Sequence, residues 1–495
     1  MNRTNVDWHR LSPVSVVFFM GKIISQLLKD SVAGLAPIVV LIVNADEKAT
    51  MGLLIAAGVV ALLIGASILQ FWFFKFSFQA DKILINEGVF KKNNRTINFE
   101  RIQNINILEP FYFRPFSLVT LQLETAGSRA NEVNLAGIQR KLADTIKTEV
   151  LNQKQDINEH STELSGNEAN LLATADTGAL IKYGLTNNGM VWFFVFLAPF
   201  TGMIDNVIEK GIGKDKLEYA VNSLGGGTQG GVILVGLLVL IALVLAVLFS
   251  IIGSIFRYHN YQLTEAKQTL KRKSGLLNTH EESTKRSKIQ SIVRKTNFIG
   301  RWLHLENLIF KQASGQANQK NASRGLFVVP SRTEEQSSQL ADIVFEQARN
   351  FEQFHAIDKR YQIKTLMVII LPVTAISVFL ALKINWTLIL VWPIALLIGC
   401  FLVHRRWKMF RYSLSPDSGY FQSGLFGYRK TEFPLFKAQR VVVKQSPLQK
   451  RRNLATLLIY LASQRITIPY MPMAHAEDWF NQISYQIETT RRSWF

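Results

Sequence analysis

Basic side chains recur at fixed places along this 495-residue chain. Arg101, Lys288 and Lys437 stand at one position of a threefold pattern, Arg114, Arg301 and Lys450 at another, and Arg451 and Arg452 extend the last into a cluster. Cations held at matching positions suit an acidic lipid headgroup, a phosphorylated group or another acidic surface of a protein partner, because hydrogen bonds to ionised acceptors are the strong ones. Near an anionic bilayer each is worth about 1 kcal/mol. The competing reading is structural, since charges on edge strands keep sheets from pairing with one another. Gln103, Gln290 and Gln439 recur as strictly. A glutamine at a fixed strand position either reads a ligand or satisfies backbone groups that a turn leaves unpaired.

Other chemistry finds little support in the residues. Cys400 is the sole cysteine, which excludes an internal disulfide and a thiolate metal cluster. The eight histidines are too widely spaced in sequence to suggest a shared metal site. There is no Gly-x-Ser-x-Gly elbow, no His-Glu-x-x-His, and no acid pair repeated in all three copies. Glu334-Glu335 occurs in one copy only and reads as a solvated loop or the start of a helix. The glycine run from Gly225 to Gly231 lacks the Gly-Lys-Ser/Thr ending of a phosphate loop and reads as a flexible linker. The expectation is a chain with no catalytic residues, no metal and no cofactor, and hence not an enzyme.

The elements that must position the basic groups follow from the same pattern. It runs Gly88, Arg101-Ile102-Gln103, Ile105, Arg114, Leu118, Leu121, Leu123 and Ala126, and returns displaced by 187 and by 336 residues. Repetition of this kind means one structural unit copied. Val119, Leu121 and Leu123 alternate with Thr120, Gln122 and Glu124, which predicts a half-buried strand. Leu308 and Phe310, and Leu457 and Ile459, keep the inward positions in the other copies. Gly88, Gly275 and Gly424 each lie between strand-like runs and predict hairpin turns with positive φ. Each copy closes on an amphipathic helical stretch, over 137–151 with Ile138, Leu142, Ile146 and Val150, over 338–353 with Leu340, Ile343, Val344 and Phe351, and over 475–488 with Trp479, Ile483 and Ile487 as the apolar positions.

Apolar runs precede each copy in pairs, 24–43 with 51–74, 189–207 with 231–256, and 365–382 with 385–403, and a bilayer span needs about 20 residues. Lys29 and Asp30 weaken the first, whose start reads as an interfacial helix. Twelve lysines and arginines flank the spans on the side of the copies against five on the other, so the copies and both termini are expected in the cytoplasm. The net charge of +20 is uneven. Residues 75–182 hold 13 basic and 13 acidic side chains, 257–364 hold 19 and 10, and 405–495 hold 15 and 5. A basic surface hung from a membrane has anionic lipid, rather than nucleic acid, as its nearest partner.

The hairpin glycine, the Arg/Lys-Ile-Gln-x-Ile strand, the basic residue ahead of a Leu-rich strand and the Thr125-Ala126-Gly127 ending together resemble the bacterial pleckstrin-homology membrane proteins of the YdbS/YdbT type. The resemblance covers nearly the whole chain and is strongest in the first copy. The other copies have Gln312-Ala313-Ser314 and Leu461-Ala462-Ser463 instead, and the second carries an insertion around Gly315 to Gln339. It implies an α+β membrane protein with six transmembrane helices in three pairs, each pair followed by a cytoplasmic PH-like β-sandwich or barrel with a C-terminal helix. The expected boundaries are an N-terminal segment with hairpin 1 at 1–74, PH-like domain 1 with a linker at 75–182, hairpin 2 at 183–256, domain 2 at 257–364, hairpin 3 at 365–404 and domain 3 at 405–495. It also implies a multi-pass protein of the bacterial inner membrane, with a shorter one-module membrane protein, or further copies of itself, as oligomeric partners. The functional expectation is a non-catalytic scaffold that binds a protein partner or an anionic headgroup, with a role in membrane stress or antimicrobial resistance. The alternative is a transporter or lipid-handling protein regulated by its PH-like domains, which six spans and the prolines Pro37, Pro199, Pro372 and Pro393 would allow.

Overall fold

A computed structural model describes residues 7–30, 49–79, 81–89, 92–125, 133–156, 170–187, 214–266, 268–312, 326–345, 351–383 and 391–490. The chain divides into two compact units. The first comprises Met1–Glu168 with Leu277–Ser283, and the second Ala169–Leu276 with Thr284–Phe495.

In unit one, β1 (His9–Arg10), β2 (Lys75–Phe78), β3 (Lys82–Glu87) and β4 (Asn93–Asn98) form an antiparallel sheet in that order. β5 (Ile102–Glu109), β6 (Leu118–Thr125) and β7 (Val133–Gln139) form a second. The alternation in β6 buries Val119, Leu121 and Leu123 completely. The helix Arg140–Asp156 turns Ile146 and Val150 onto the same core. The helix Ser15–Asp30 adds Phe19 to that core, and its Ser15 hydroxyl donates to the Ala136 carbonyl at 2.7 Å.

Unit two repeats this plan twice. β8 (Asn170–Ala175), β9 (Tyr261–Ala266) and β10 (Thr269–Ser274) pair in order, and β11 (Thr279–Lys285), whose residues as far as Ser283 belong to unit one, leads into β12 (Ile289–Thr296), β13 (Glu306–Gln312) and β14 (Leu326–Arg332). β15 (His355–Ala356), β16 (Arg411–Leu414), β17 (Ser418–Gly424) and β18 (Tyr428–Pro434) follow, then β19 (Ala438–Lys444), β20 (Leu454–Leu461) and β21 (Arg465–Pro472). The helices Glu334–Val344 and Met473–Thr489 close the two cores with Leu340, Val344, Trp479 and Ile483. In each copy the strand ahead of the apolar helices pairs with the first strand after them, β1 with β2, β8 with β9 and β15 with β16.

Six transmembrane helices in three pairs are not what the structure contains. Among the described residues two helices are long and apolar enough to cross a membrane, Gln229–Tyr258 and Arg360–Phe379, and the chain is otherwise rich in strands. Ser15–Ile24 and Ala57–Phe73 are shorter apolar helices, and the first buries one face in the core of its module. The helix Val391–Met409 ends in His404, Arg405, Arg406 and Lys408, which cut its apolar stretch short. Most of the run 24–43, and all of 189–207, lie outside the described residues. The glycine run is not a linker either. Gly225 and Gly226 take φ of 112° and 69° in a turn after the helix Lys214–Ser223, and a Cβ on Gly230, in the next helix, would lie 2.1 Å from the Val221 carbonyl oxygen.

The modules are joined through strand edges. In unit one Thr279, His280 and Glu281 of β11 pair antiparallel with Glu109, Leu108 and Ile107 of β5. In unit two Tyr428, Arg429 and Lys430 of β18 pair with Thr296, Lys295 and Arg294 of β12. The second set is the first displaced by the repeat spacing, so the two junctions share one register. An arginine spans each. Arg140 reaches Glu109 at 2.9 Å and Glu281 at 2.5 Å, while Arg294 reaches Glu432 at 2.5 Å and lies 3.8 Å from Glu306. Burial works against the Arg294 charge, but the two carboxylates outweigh it and hold the guanidinium above its ordinary range. Burial pushes the Glu306 carboxyl up, and its Oε2 accepts from the Tyr428 hydroxyl at 3.0 Å.

Gly427 lets the second junction close, since a Cβ there would lie 2.0 Å from the Thr296 carbonyl oxygen and 2.7 Å from Asn297 Cα. Both obstacles are backbone. Gly427→Ala should therefore destabilise unit two by about 1–3 kcal/mol, as overpacking does. Thermal unfolding of the purified protein in detergent checks this, and an unchanged midpoint would mean that the backbones do not meet.

Candidate functional site

The turn between the first two strands of each second sheet places a basic residue beside exposed apolar ones. Arg114 follows Phe111 and precedes Phe116, 57% and 59% exposed; Arg301 lies between Phe298 and Trp302, 64% and 78% exposed; Lys450-Arg451-Arg452 follows Leu448, 70% exposed. Each turn closes on a residue in the left-handed region, Ser117, His304 and Asn453, with φ of 52–53°. Asn297 and Ser446 cap the short helices of the second and third turns, accepting from the amides of Gly300 and Gln449. Large apolar side chains are costly in water but suit a bilayer interface, where lysine and arginine also find anionic partners.

The second turn lies beside the ends of the helices Thr177–Thr186 and Val391–Met409. A Cβ on Gly300 would come within 3.2 Å of Thr186 Cγ2, at the end of the helix Thr177–Thr186. That helix packs on the span candidate through Gly184, whose carbonyl accepts from the Ser250 hydroxyl at 2.7 Å. Arg301 Nη1 is 3.9 Å from Met409 Sδ, at the end of the helix Val391–Met409.

A cationic cavity of about 360 Å³ opens where the third module meets its two apolar helices. Arg406, Arg429 and Arg465 line it together with Ser423, Thr431, Gln464 and Thr467, and Tyr361, Phe410 and Phe421 supply apolar wall. Among the described residues no carboxylate lines it and no ion pair engages any of the three arginines. Arg429 Nη2 donates to Gln464 Oε1 at 2.9 Å, and Arg406 stacks 6.0 Å above the Phe410 ring. Three cations around neutral donors are arranged to accept a phosphate or carboxylate. A larger cavity of about 650 Å³ holds His355 and His475, but Glu352, Asp417 and Asp478 also line it and would repel an anion.

The eight basic residues singled out by the repeat do not converge. Arg101 is exposed at the end of a one-turn helix, and Lys288 is half-buried at the equivalent place. Lys437, their counterpart, is buried and donates to the carbonyls of Ser287 and Ile289, across the junction. Arg114 donates to Thr279 Oγ1 at 2.6 Å. Arg301, Lys450, Arg451 and Arg452 are exposed on the turns described above. None lines the cationic cavity. The arginines that do line it escaped the sequence reading because Arg429 replaces Asn93 and His280 of the other copies, so repetition could not mark it. The charge excess of 405–495 was the signal available. Glu334, read as a loop or helix-start charge, begins a helix capped by Thr333 and pairs with Lys430, whose hydrogen bond holds its carboxyl below the ordinary range.

The family model described as Bacterial PH domain matches residues 31–154, 224–353 and 366–487. The chain is similar to UPF0699 transmembrane protein YdbT of Bacillus subtilis, 27% identical over 323 residues that cover 63% of this chain and 64% of that protein. It is also similar to UPF0699 transmembrane protein YdbS of the same organism, 32% identical over 95 residues, or 19% of this chain and 60% of that protein. Each match spans less than two thirds of the relative's length.

Burial pushes Lys437 down to about 8, and burial with the nearby Arg429 charge does the same to Lys311, whose ammonium donates to Gln464 at 2.8 Å. An unfolded lysine titrates near 10.4, so between these values the unfolded chain binds more protons than the folded one. Stability should thus rise as the pH goes from about 8 to about 10.4, which unfolding in denaturant at fixed pH steps measures. Lys311→Met should flatten the rise, and a stability that falls across this window would contradict the burial of these ammonium groups.

Proposed function

This chain belongs to the bacterial PH domain family, and from that premise we propose that it is a non-catalytic, membrane-anchored scaffold whose third module holds an anionic lipid headgroup. The observation that carries this reading is the cavity lined by Arg406, Arg429 and Arg465, without a carboxylate, beside the helices Arg360–Lys383 and Val391–Met409. A headgroup phosphate is an acceptor that all three guanidinium groups can reach from different sides, and Tyr361 and Phe410 offer apolar contact to the glycerol and upper acyl region. The turns that expose Phe111, Phe298, Trp302 and Leu448 beside basic residues support a surface laid against lipid. Arg405, Arg406 and Lys408 at the end of the apolar helix Val391–Met409, which packs on the candidate span Arg360–Phe379, favour the cytoplasmic side for this module. A scaffold reading also fits the uneven charge. A neutral first module and strongly basic second and third modules divide the work between protein and lipid contacts.

The test is lipid retention. Full-length protein extracted from membranes of mixed phosphatidylglycerol and phosphatidylethanolamine should keep phosphatidylglycerol through purification, as read by native mass spectrometry. At about 1 kcal/mol per basic residue near anionic lipid, Arg406→Gln, Arg429→Gln and Arg465→Gln together should weaken retention roughly a hundredfold. Equal retention by the wild type and the triple variant, both folded by thermal melt, would contradict the proposal.

A further inference from the structure

The two internal junctions are one contact used twice, and among the described residues the first and third modules each offer one unpaired half of it. β5 and β12 carry a neighbouring module's strand on their outer edges. β19 is their counterpart in the third module. It is the outer strand of the sheet β19-β20-β21, and among the described residues no strand pairs with its free edge. β11 and β18 supply the strand at the two junctions, and their counterpart in the first module, β4, pairs among the described residues with β3 alone. The side chains record the difference. Ile292 and Val293 of β12 are buried, whereas Val441 and Val442 at the same positions of β19 stay partly exposed. Gln290 is fully buried and its counterpart Gln439 is exposed. An open edge of seven residues with three successive valines and no proline is a template for another strand.

We propose that the open edge of β19 takes strand β4 from a second copy of this chain, head to tail, in the register of the internal junctions. Carrying that register forward sets Val441, Val442, Val443 and Lys444 against Thr96, Arg95, Asn94 and Asn93 of the other copy. The charges fit. The one cation of β4, Arg95, meets Val442, and Lys444 meets Asn93, so no two cations are directly opposed. A two-fold pairing of β19 with itself about Val442 would oppose Arg440 to Lys444 twice and set one strongly basic module on another, and like charges directly opposite destabilise a strand pair. The contact joins different surfaces and so builds rings or open rows of copies in the membrane, not a two-fold dimer.

Disulfide crosslinking in isolated membranes tests the proposal. Two differently tagged full-length copies, both with Cys400→Ser, carry Val443→Cys and Asn94→Cys respectively. Directly opposed residues of an antiparallel pair lie within disulfide range. Mild oxidation should join the two tags, and Arg95→Cys in place of Asn94→Cys should reduce the yield about tenfold, because a one-residue slip turns the side chain to the other face. Absence of a mixed-tag product from folded copies would overturn the proposal. So would crosslinking of Val442→Cys copies to each other, or a product that joins Val443→Cys only to a shorter one-module protein.

Discussion

A strand at the edge of a sheet exposes a row of unpaired amides and carbonyls, and the tandem architecture depends on how those rows are covered. β5 and β12 could each have been shielded by a loop or blunted by charge. Instead each takes a strand from the following module in one shared register. The features around these junctions follow from that choice. Arg140 and Arg294 bind carboxylates on both sides of their seams, Lys437 places its ammonium on backbone carbonyls of the preceding module, and Gly427 omits the Cβ that would hold two backbones apart. Removing one partner from a buried ion pair leaves an uncompensated charge, so the second seam, where Arg294, Glu306 and Glu432 are buried, tolerates little partial change.

The basic excess has two physical uses. Arg294, Lys311 and Lys437 are drawn into the seams of unit two, where burial depresses both lysines and carboxylates hold the arginine charged. Arg301 and Lys450-Arg451-Arg452 stay exposed on turns with bare apolar side chains, and Arg406, Arg429 and Arg465 meet in a cavity beside the apolar helices Arg360–Lys383 and Val391–Met409. The first use raises cohesion and the second leaves cations that no acidic side chain pairs among the described residues, which is the condition for binding an anion from outside.

Much of the module was legible in the sequence, because its signals are local. The alternation in Val119, Leu121 and Leu123 marks a buried strand face, and positive φ at Gly88 and Gly275, 113° and 122°, fulfils the hairpin expectation. Gly424 does not share that φ. Glycine is needed there because a Cβ would meet the Gly427 carbonyl oxygen at 2.1 Å, which is a matter of packing that spacing cannot reveal. The short strands β1, β8 and β15 were invisible because they lie ahead of the apolar helices and find their partners only after the chain returns. Hydropathy alone overcounted the spans: Ala57–Phe73 is shorter as an apolar helix than a span, and His404, Arg405, Arg406 and Lys408 cut the apolar stretch of Val391–Met409 short. The cavity arginines come from β18, β21 and the end of a helix, and only tertiary structure brings them together.

Amide hydrogen exchange on the full-length protein in lipid nanodiscs tests the strand seam most directly. The account predicts that peptides covering Ile292–Thr296 and Tyr428–Glu432 exchange together and as slowly as the core strand Leu454–Leu461. Fast exchange of Tyr428–Glu432 while Leu454–Leu461 stays protected would show that the third module folds without the seam, and would contradict the account.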